Sequence, residues 1–315
     1  MISLTIPFVL LLLVLCIVFC LYKRKYVACG FLAIAIIVFD NLWEIFPFKV
    51  FNEIENISNE VRVLSFNINS TDKKAKKDAL DIADYIIEQN ADVLFLAEDF
   101  DGINNLLDSL LIKRYPYTTF HQRNQYGGHY FYSKYPLGEV EHLEIECNRF
   151  SYCFHCKMAY GNDSISLFGV HMASNNYKGT EASIRPEDID GVKSFSNYLD
   201  NIEAASRQRC EEATIVRDMS IKLGGPSIIM GDFNDVSGSR PLNILEDAGF
   251  KDAWWEGGFG YGATIHHPLP FRIDHVMYND GLKLVDIKKV DSNGLSDHDA
   301  LVACFNVKTN MISRQ

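Results

Sequence analysis

The first 46 residues are almost unbroken apolar sequence, and the rest of the chain alternates apolar and polar positions at two different periods. Ile2 to Tyr22 carries no charge, and about 20 apolar residues suffice to cross a bilayer core as a helix. A second apolar run, Val27 to Phe39, reaches roughly 30 Å when extended through Trp43 to Phe46, with Trp43 at interface depth. The pattern predicts a transmembrane hairpin over residues 1–46. A cleaved signal peptide would want positive charge before a shorter apolar region, and the sequence has none there. Lys23, Arg24 and Lys25 form the basic cluster between the two runs, so the positive-inside bias puts that turn in the cytoplasm. Both chain ends then lie outside it, and everything after residue 47 of this integral membrane protein is expected to face the periplasm or exterior; a re-entrant or surface-lying second run would reverse this.

Residues 47–60, including "FKVFNEIENISNE", read as a linker, and the main domain runs over 61–315. "VRVLSF" and "DVLFL" have strand character, with a helix between them in "DKKAKKDALDIADYIIEQN" that lines up Ala79, Ile82, Ile86 and Ile87. "GGHYFYSKYPL", "SYCFHCKMAY" and "SISLFGVHM" follow as strands without helices between them. A long helix is predicted from Phe195 to Leu223, stopped by Gly224 and Gly225. After it come a strand ending in "SIIM", a short helix near "PLNILEDAG", and the strands "RIDHVMY", "LKLVDIKKV" and "ALVACFNV". Strand–helix units at both ends with antiparallel strands between them predict an α/β fold of two face-to-face sheets with helices outside.

Charge narrows the partners. The chain has 30 basic and 41 acidic residues; four bases and two acids fall in the first 50, leaving 26 against 39 and a net of −13 beyond them. Such a domain repels polyphosphate at long range, because nonspecific nucleic-acid affinity comes from Lys and Arg neutralising phosphates. The eight cysteines show no paired C-x-x-C spacing, and "CFHC" at 153–156 reads as strand positions with buried thiols rather than a zinc site.

Polar residues recur at the ends of the predicted strands: Asn67, Glu98, His171, Asp232 and Asn234 in "GDFND", Asp274 in "RIDHV", and Asp297 with His298. Any one alone reads as a cap, a turn or a satisfied histidine. Alternation along an extended strand predicts that Asp232 and Asn234 point the same way, as a pair able to grip a phosphate and a water.

The ordered stretches "LSFNIN", "LFLAED", "YSKYPL", "GVHMAS", "IIMGDFNDVSGSRP", "FRIDHV" and "LSDHDALVACF" resemble the endonuclease/exonuclease/phosphatase superfamily over residues 61–308. The resemblance implies a four-layer α/β/β/α sandwich of two mixed sheets, and the apolar hairpin before it is similar to membrane-anchored bacterial members. It further implies a metal-dependent phosphoric ester hydrolase in which Glu98, with Asn67 beside it and Asp297 nearby, holds Mg²⁺ or Mn²⁺ through oxygen ligands. His298 is implied as the base acting on water, oriented by Asp274. Asp232 is implied to position the nucleophile or protonate the leaving group, and Asn234 and His171 to hold the phosphate.

Three positions depart from the family pattern: Ala97 replaces a usual Gln, His275 a usual Tyr, and Asn69 stands where some abasic-site enzymes carry Asp. These bear on substrate choice. The fold hosts nucleases, lipid phosphodiesterases and phosphatases, so the expected partner is a phosphoester, either nucleic acid or phospholipid headgroup, with no protein partner evident. A phosphodiester-cleaving enzyme is the leading expectation. A sphingomyelinase-like or phosphatase activity, or an inactive membrane-tethered binding module, are the alternatives.

Overall fold

The computed structural model describes residues 60–69, 79–99, 104–119, 128–143, 151–175, 191–266 and 270–308, with a few positions before residue 48. The elements are β1 (Glu60–Asn67), α1 (Ala79–Glu88), β2 (Val93–Ala97), α2 (Asn104–Leu111), β3 (Tyr117–Thr118), β4 (Tyr130–Ser133), β5 (Glu141–His142), β6 (Tyr152–Tyr160) and β7 (Asp163–His171). They continue with α3 (Gly191–Leu223), β8 (Ser227–Asp232), α4 (Arg240–Glu246), β9 (Lys251–Asp252), α5 (Ala253–Gly257), β10 (Asp274–Tyr278), β11 (Leu282–Val290) and β12 (Ala300–Val307).

Two six-stranded sheets form, in the orders β11-β12-β1-β2-β4-β3 and β5-β6-β7-β8-β10-β9. Each is mixed for the same reason. β1 and β2 are parallel because α1 carries the chain back between them, and β7 and β8 are parallel because α3 does the same; the remaining pairings are antiparallel. Strand alternation then sorts the side chains. Val61, Val63, Val93, Phe95 and Phe131 of one sheet meet Phe154, Leu167, Ile228, Met230 and Val276 of the other. The opposite faces take the helices: Leu64, Phe66, Leu94 and Leu96 pack on Ile82 and Ile86 of α1, while Phe168, Val170, Ile229 and Met277 pack on Ala213 and Val216 of α3. The layers are therefore helix, sheet, sheet, helix, as expected.

Gly169 marks how tightly the sheets approach, since a Cβ there would stand 2.5 Å from the Phe95 ring. Its neighbour in the fold, Gly231, has φ +143° and would drive a Cβ into the Val170 carbonyl oxygen, so the leading residue of "GDFND" is glycine by steric necessity.

Differences from the sequence reading are local. The short elements α2, β3, β5, β9 and α5 were not anticipated, because two to eight residues carry too little periodicity to register. The long helix begins at Gly191, four residues before the expected Phe195. Cys153 and Cys156 are buried on β6, as read, with burial pushing both thiols upward, Cys156 to about 12. Among the described residues no helix is long and apolar enough to cross a membrane; the runs Ile2–Tyr22 and Val27–Phe46 lie almost wholly outside those residues, as does most of the 47–60 linker.

Candidate active site

The inter-sheet rows that supply the core also supply the site. On β1 the series Val61, Val63, Ser65, Asn67 faces the other sheet, and on β8 the series Ile228, Met230, Asp232 does the same. Asn67, His171, Asp232 and Asp274 thus continue the apolar rows past their ends, and all four are buried. Register completes the cluster. His171 pairs with Asp232 across β7 and β8, and Asp232 with Asp274 across β8 and β10, so three functional side chains stand in one row over three adjacent strands.

Across from that row lies Glu98, the residue after β2, in the left-handed region at φ 56°. That conformation costs a glutamate on the order of 1–3 kcal/mol, and Asn69 and Asn234 share it at φ 38° and 51°, so backbone strain gathers around this site. Glu98 Oε1 accepts from Asn67 Nδ2 at 3.0 Å and lies 3.0 Å from His171 Nε2. Asn67 Nδ2 also donates to Asp232 Oδ2 at 3.2 Å, which ties the two sheets together. The Asn67 side-chain oxygen accepts from the Asn69 backbone N–H at 3.0 Å, so in this arrangement the amide braces two carboxylates rather than offering its oxygen to the pocket.

The segment between β11 and β12 brings in His298. Its Nδ1–H donates to Asp274 Oδ2 at 2.8 Å, and its Nε2 lies 3.9 Å from Asp232 Oδ2. His171 Nε2 stands at the same 3.9 Å from that oxygen, so one carboxylate is flanked by two imidazoles. Asp297 turns aside to accept from Asn69 Nδ2 at 3.0 Å and belongs to neither carboxylate–histidine group compact enough to hold a metal, Glu98/His171/Asp232 or Asp232/Asp274/His298, among the described residues.

Asn234 departs from the strand geometry expected of it. β8 ends at Asp232 and the chain turns, with the Asn234 backbone N–H donating to Asp232 Oδ1 at 2.8 Å and its side-chain Nδ2 to the Met172 carbonyl at 2.9 Å. The two residues are joined by an Asx turn, which the left-handed φ of Asn234 permits, and not by strand alternation.

Electrostatics show what the cluster lacks. Burial raises Glu98, but the hydrogen bond and charge of His171 and the Asn67 amide outweigh it and bring the carboxyl to about 2. Burial and the Asp274 charge raise Asp232 to about 6 despite His298 and His171. Burial would lower His298, yet Asp274, then Asp232 and Asp297, lift it to about 10. Negative charge is in excess, and a buried imidazole is held protonated to offset it. That donor set fits a hard divalent cation: Glu98 and Asp232 present carboxylate oxygens within reach of a common point, and added positive charge would bring Asp232 and His298 back toward their ordinary values.

Several supporting residues went unnoticed in the sequence. His129 accepts the Glu98 backbone N–H at 3.4 Å and stacks on His171 with ring centroids 5.1 Å apart. Thr264 Oγ1 accepts the Asp274 backbone N–H at 3.1 Å, and Ser296 Oγ donates to the Asn67 carbonyl at 2.7 Å. From α3, buried Arg209 donates to Asp235 at 2.9 Å and to the Ala173 carbonyl at 2.7 Å, fastening the loops that follow β8 and β7. Behind β10, Asp252, Arg272 and His275 form a second buried charged group, with Arg272 Nη1 and His275 Nδ1 each 2.7 Å from Asp252 Oδ2. Of this group only His275 was singled out in the sequence, as a departure from the family's usual Tyr, and it faces away from the site toward Asp252.

The chain belongs to the endonuclease/exonuclease/phosphatase family, whose model matches residues 64–298. Similar solved structures include a humanized D. rerio TDP2, at 15% identity and a TM-score of 0.59, covering 79% of this chain and 100% of that one. An endonuclease/exonuclease/phosphatase from Beutenbergia cavernae matches at 17% and 0.57, covering 79% and 72%. Sphingomyelinase C from Streptomyces griseocarneus matches at 17% and 0.53, covering 78% and 99%. At these identities the likeness is one of fold. No curated protein matches the chain in sequence.

Proposed function

We propose that this protein is a divalent-metal-dependent phosphoric diester hydrolase, tethered to the membrane by its N-terminal apolar runs with the catalytic domain outside the cytoplasm. The observation that carries the reading is the row His171, Asp232, Asp274 with His298 closing on it, 2.8 Å from Asp274 and 3.9 Å from Asp232. Asp274 fixes the orientation of His298 through Nδ1, leaving Nε2 toward the space where a water would be held. In the neutral form His298 takes the proton of that water as its oxygen attacks phosphorus, and Asp232, poised between two imidazoles, aligns the water or returns a proton to the leaving oxygen.

His171 and the remaining N–H of Asn234 are the donors for the phosphoryl oxygens, where charge grows in the transition state. Glu98 and Asp232 would hold the cation, Asn67 would orient both carboxylates, and Asp297 would steady Asn69. When bound, Mg²⁺ or Mn²⁺ supplies the charge that polarises the phosphoryl group. A phosphodiester substrate agrees with the family and with neighbours named as TDP2 complexed with a single-strand DNA product and as a sphingomyelinase. The basic cluster Lys23–Lys25 between two apolar runs supports the orientation.

The test is hydrolysis by the full chain of a soluble diester, bis(p-nitrophenyl) phosphate, with Mg²⁺ and with excess chelator. Turnover that falls to background on chelation and returns with Mg²⁺ is expected. Undiminished turnover in chelator would refute the metal assignment.

A further inference from the structure

Val93, Phe95 and Ala97 of β2 face the other sheet while Leu94 and Leu96 face the helices, so strict alternation would send Glu98 to the helix side, away from the site. A β-bulge reverses this. Leu96 pairs with Tyr130, and pairing resumes where the Asp99 N–H donates to the Gly128 carbonyl at 2.7 Å, so one strand advances three residues while the other advances two. The extra residue is taken up at Glu98, whose φ of 56° turns its carboxylate back between the sheets. Such a bulge re-aims a side chain at the expense of a ladder bond, and the group left without a backbone partner here is the Glu98 N–H.

His129 answers that group. It stands opposite the bulge, two residues before Phe131 and on the same inter-sheet face, is buried, and accepts the Glu98 N–H through Nδ1 at 3.4 Å. An accepting Nδ1 makes the imidazole neutral, with its proton on Nε2. The same ring stacks on two others, on His171 with centroids 5.1 Å apart at 26° and on Tyr152 with centroids 5.1 Å apart at 17°. Tyr152 pairs with His171 across β6 and β7, so it extends the row His171, Asp232, Asp274 by one strand, and its hydroxyl lies 2.8 Å from His142 Nδ1. His171 Nε2 in turn lies 3.0 Å from Glu98 Oε1. The circuit therefore closes: from the Glu98 N–H to His129, through the ring stack to His171, and back to the Glu98 carboxylate. One side chain holds both the backbone that aims the carboxylate and the imidazole that the carboxylate meets.

We propose that His129 is a positioning residue of the active site: through Nδ1 it holds the bulge that turns Glu98 toward the cation, and through its ring face it holds His171 where a phosphoryl oxygen is bound. The inference rests on the roles proposed above for Glu98 and His171. His129 acts through those two residues and supplies neither a ligand to the cation nor a proton to the substrate. Its two actions use different parts of the side chain, so they can be separated. An asparagine carries an oxygen about where Nδ1 stands and has no ring, whereas a phenylalanine carries a ring and no acceptor.

The experiment titrates the full chain with Mn²⁺ alone, following loss of the free-ion electron paramagnetic resonance signal, and separately measures kcat and KM for bis(p-nitrophenyl) phosphate at saturating Mn²⁺. Circular dichroism checks folding. H129F should weaken Mn²⁺ binding about 10–100-fold, the usual effect of losing a residue that orients a metal ligand, with the smaller change in KM. H129N should bind Mn²⁺ nearly as the unaltered chain does and raise KM about 2–10-fold, the worth of one aromatic pair. Folded H129F that binds Mn²⁺ as tightly as the unaltered chain, or H129N that loses affinity to the same degree as H129F, overturns the hold on Glu98. An unchanged KM in H129N overturns the hold on His171. Should H129F not fold, H129N decides both points alone, since lost Mn²⁺ affinity contradicts the first and an unmoved KM the second. Lower melting temperatures with both constants unmoved would make His129 a packing residue only. Absence of Mn²⁺ binding by the unaltered chain would instead overturn the parent metal reading, and this inference with it.

Discussion

Two buried carboxylate–imidazole pairs sit back to back on β10, and only one of them has the makings of catalysis. Asp274 and His275 are consecutive, so they face opposite sides of the sheet, Asp274 with Val276 toward the inter-sheet space and His275 with Met277 toward the outer helices. Their contacts are nearly identical: 2.8 Å from Asp274 to His298, 2.7 Å from His275 to Asp252. The surroundings differ. Asp252 also meets the Arg272 guanidinium at 2.7 Å and caps Trp254, and His275 Nε2 donates to the Asp235 carbonyl at 3.0 Å, so each polar atom is answered. Beside His298 a second carboxylate stands at 3.9 Å, and among the described residues no Lys or Arg pairs with it. The lesson is that a buried ion pair marks structure where its charges close, and a reactive site where they are left open for a ligand and a metal to close.

The largest effect should come from opening the His298 pair. H298A and D274A should each reduce turnover by on the order of 10²-fold or more, with the double variant little worse than the worse single one, because residues acting as a unit are strongly non-additive. Kinetics on variants whose folding is followed by circular dichroism decide it. Independent, multiplicative losses in folded protein would break the pairing.

An intermediate effect, of another kind, is expected behind β10. D252A leaves Arg272 and His275 without their carboxylate and should destabilise the fold by about 3–5 kcal/mol, while the folded fraction keeps turnover within about tenfold. Burial would raise the Asp252 carboxyl, but Arg272 and then His275 hold it well below the usual aspartate range. A depressed acid stabilises the fold at and above its unfolded pKa of about 3.9, and that contribution is lost as pH falls below it. Denaturant titrations at pH 7 and pH 3 should therefore show a larger acid-induced loss in the unaltered protein than in D252N. A D252A protein of full stability and no activity would reverse the roles of the two pairs.

The smallest effect is assigned to Asn69. N69A removes the hydrogen bond to Asp297, 3.0 Å long, and should cost about 1 kcal/mol and a few-fold in turnover. A loss as large as that of H298A would move Asp297 into the centre of the chemistry.

Much of this was legible in the linear sequence. The helix–sheet–sheet–helix order follows from two strand periods separated by amphipathic helices, and a polar residue at the end of each apolar run is a local signal that survives without coordinates. Asn67, His171, Asp232, Asp274 and His298 were all found that way, and the structure brings them into one cluster. The supporting residues were hidden for a physical reason: His129, Thr264, Arg209 and Asp252 make their contacts across 31, 10, 26 and 20 residues of chain, and nothing in their own neighbourhoods marks them.

The sequence by itself determined the fold class, the family and the polar row, because periodicity and motif order are properties of neighbouring residues. Only the tertiary structure decided how those residues are used. It turned the chain at Asp232 so that Asn234 joins it through an Asx turn, pointed the Asn67 amide nitrogen at two carboxylates, and drew Asp297 off toward Asn69. It also joined Gly260 to Pro47 through a backbone hydrogen bond, more than 200 residues apart in the chain. Side-chain direction and long-range contact are fixed by packing two sheets against each other, and that constraint exists only once the whole domain has closed.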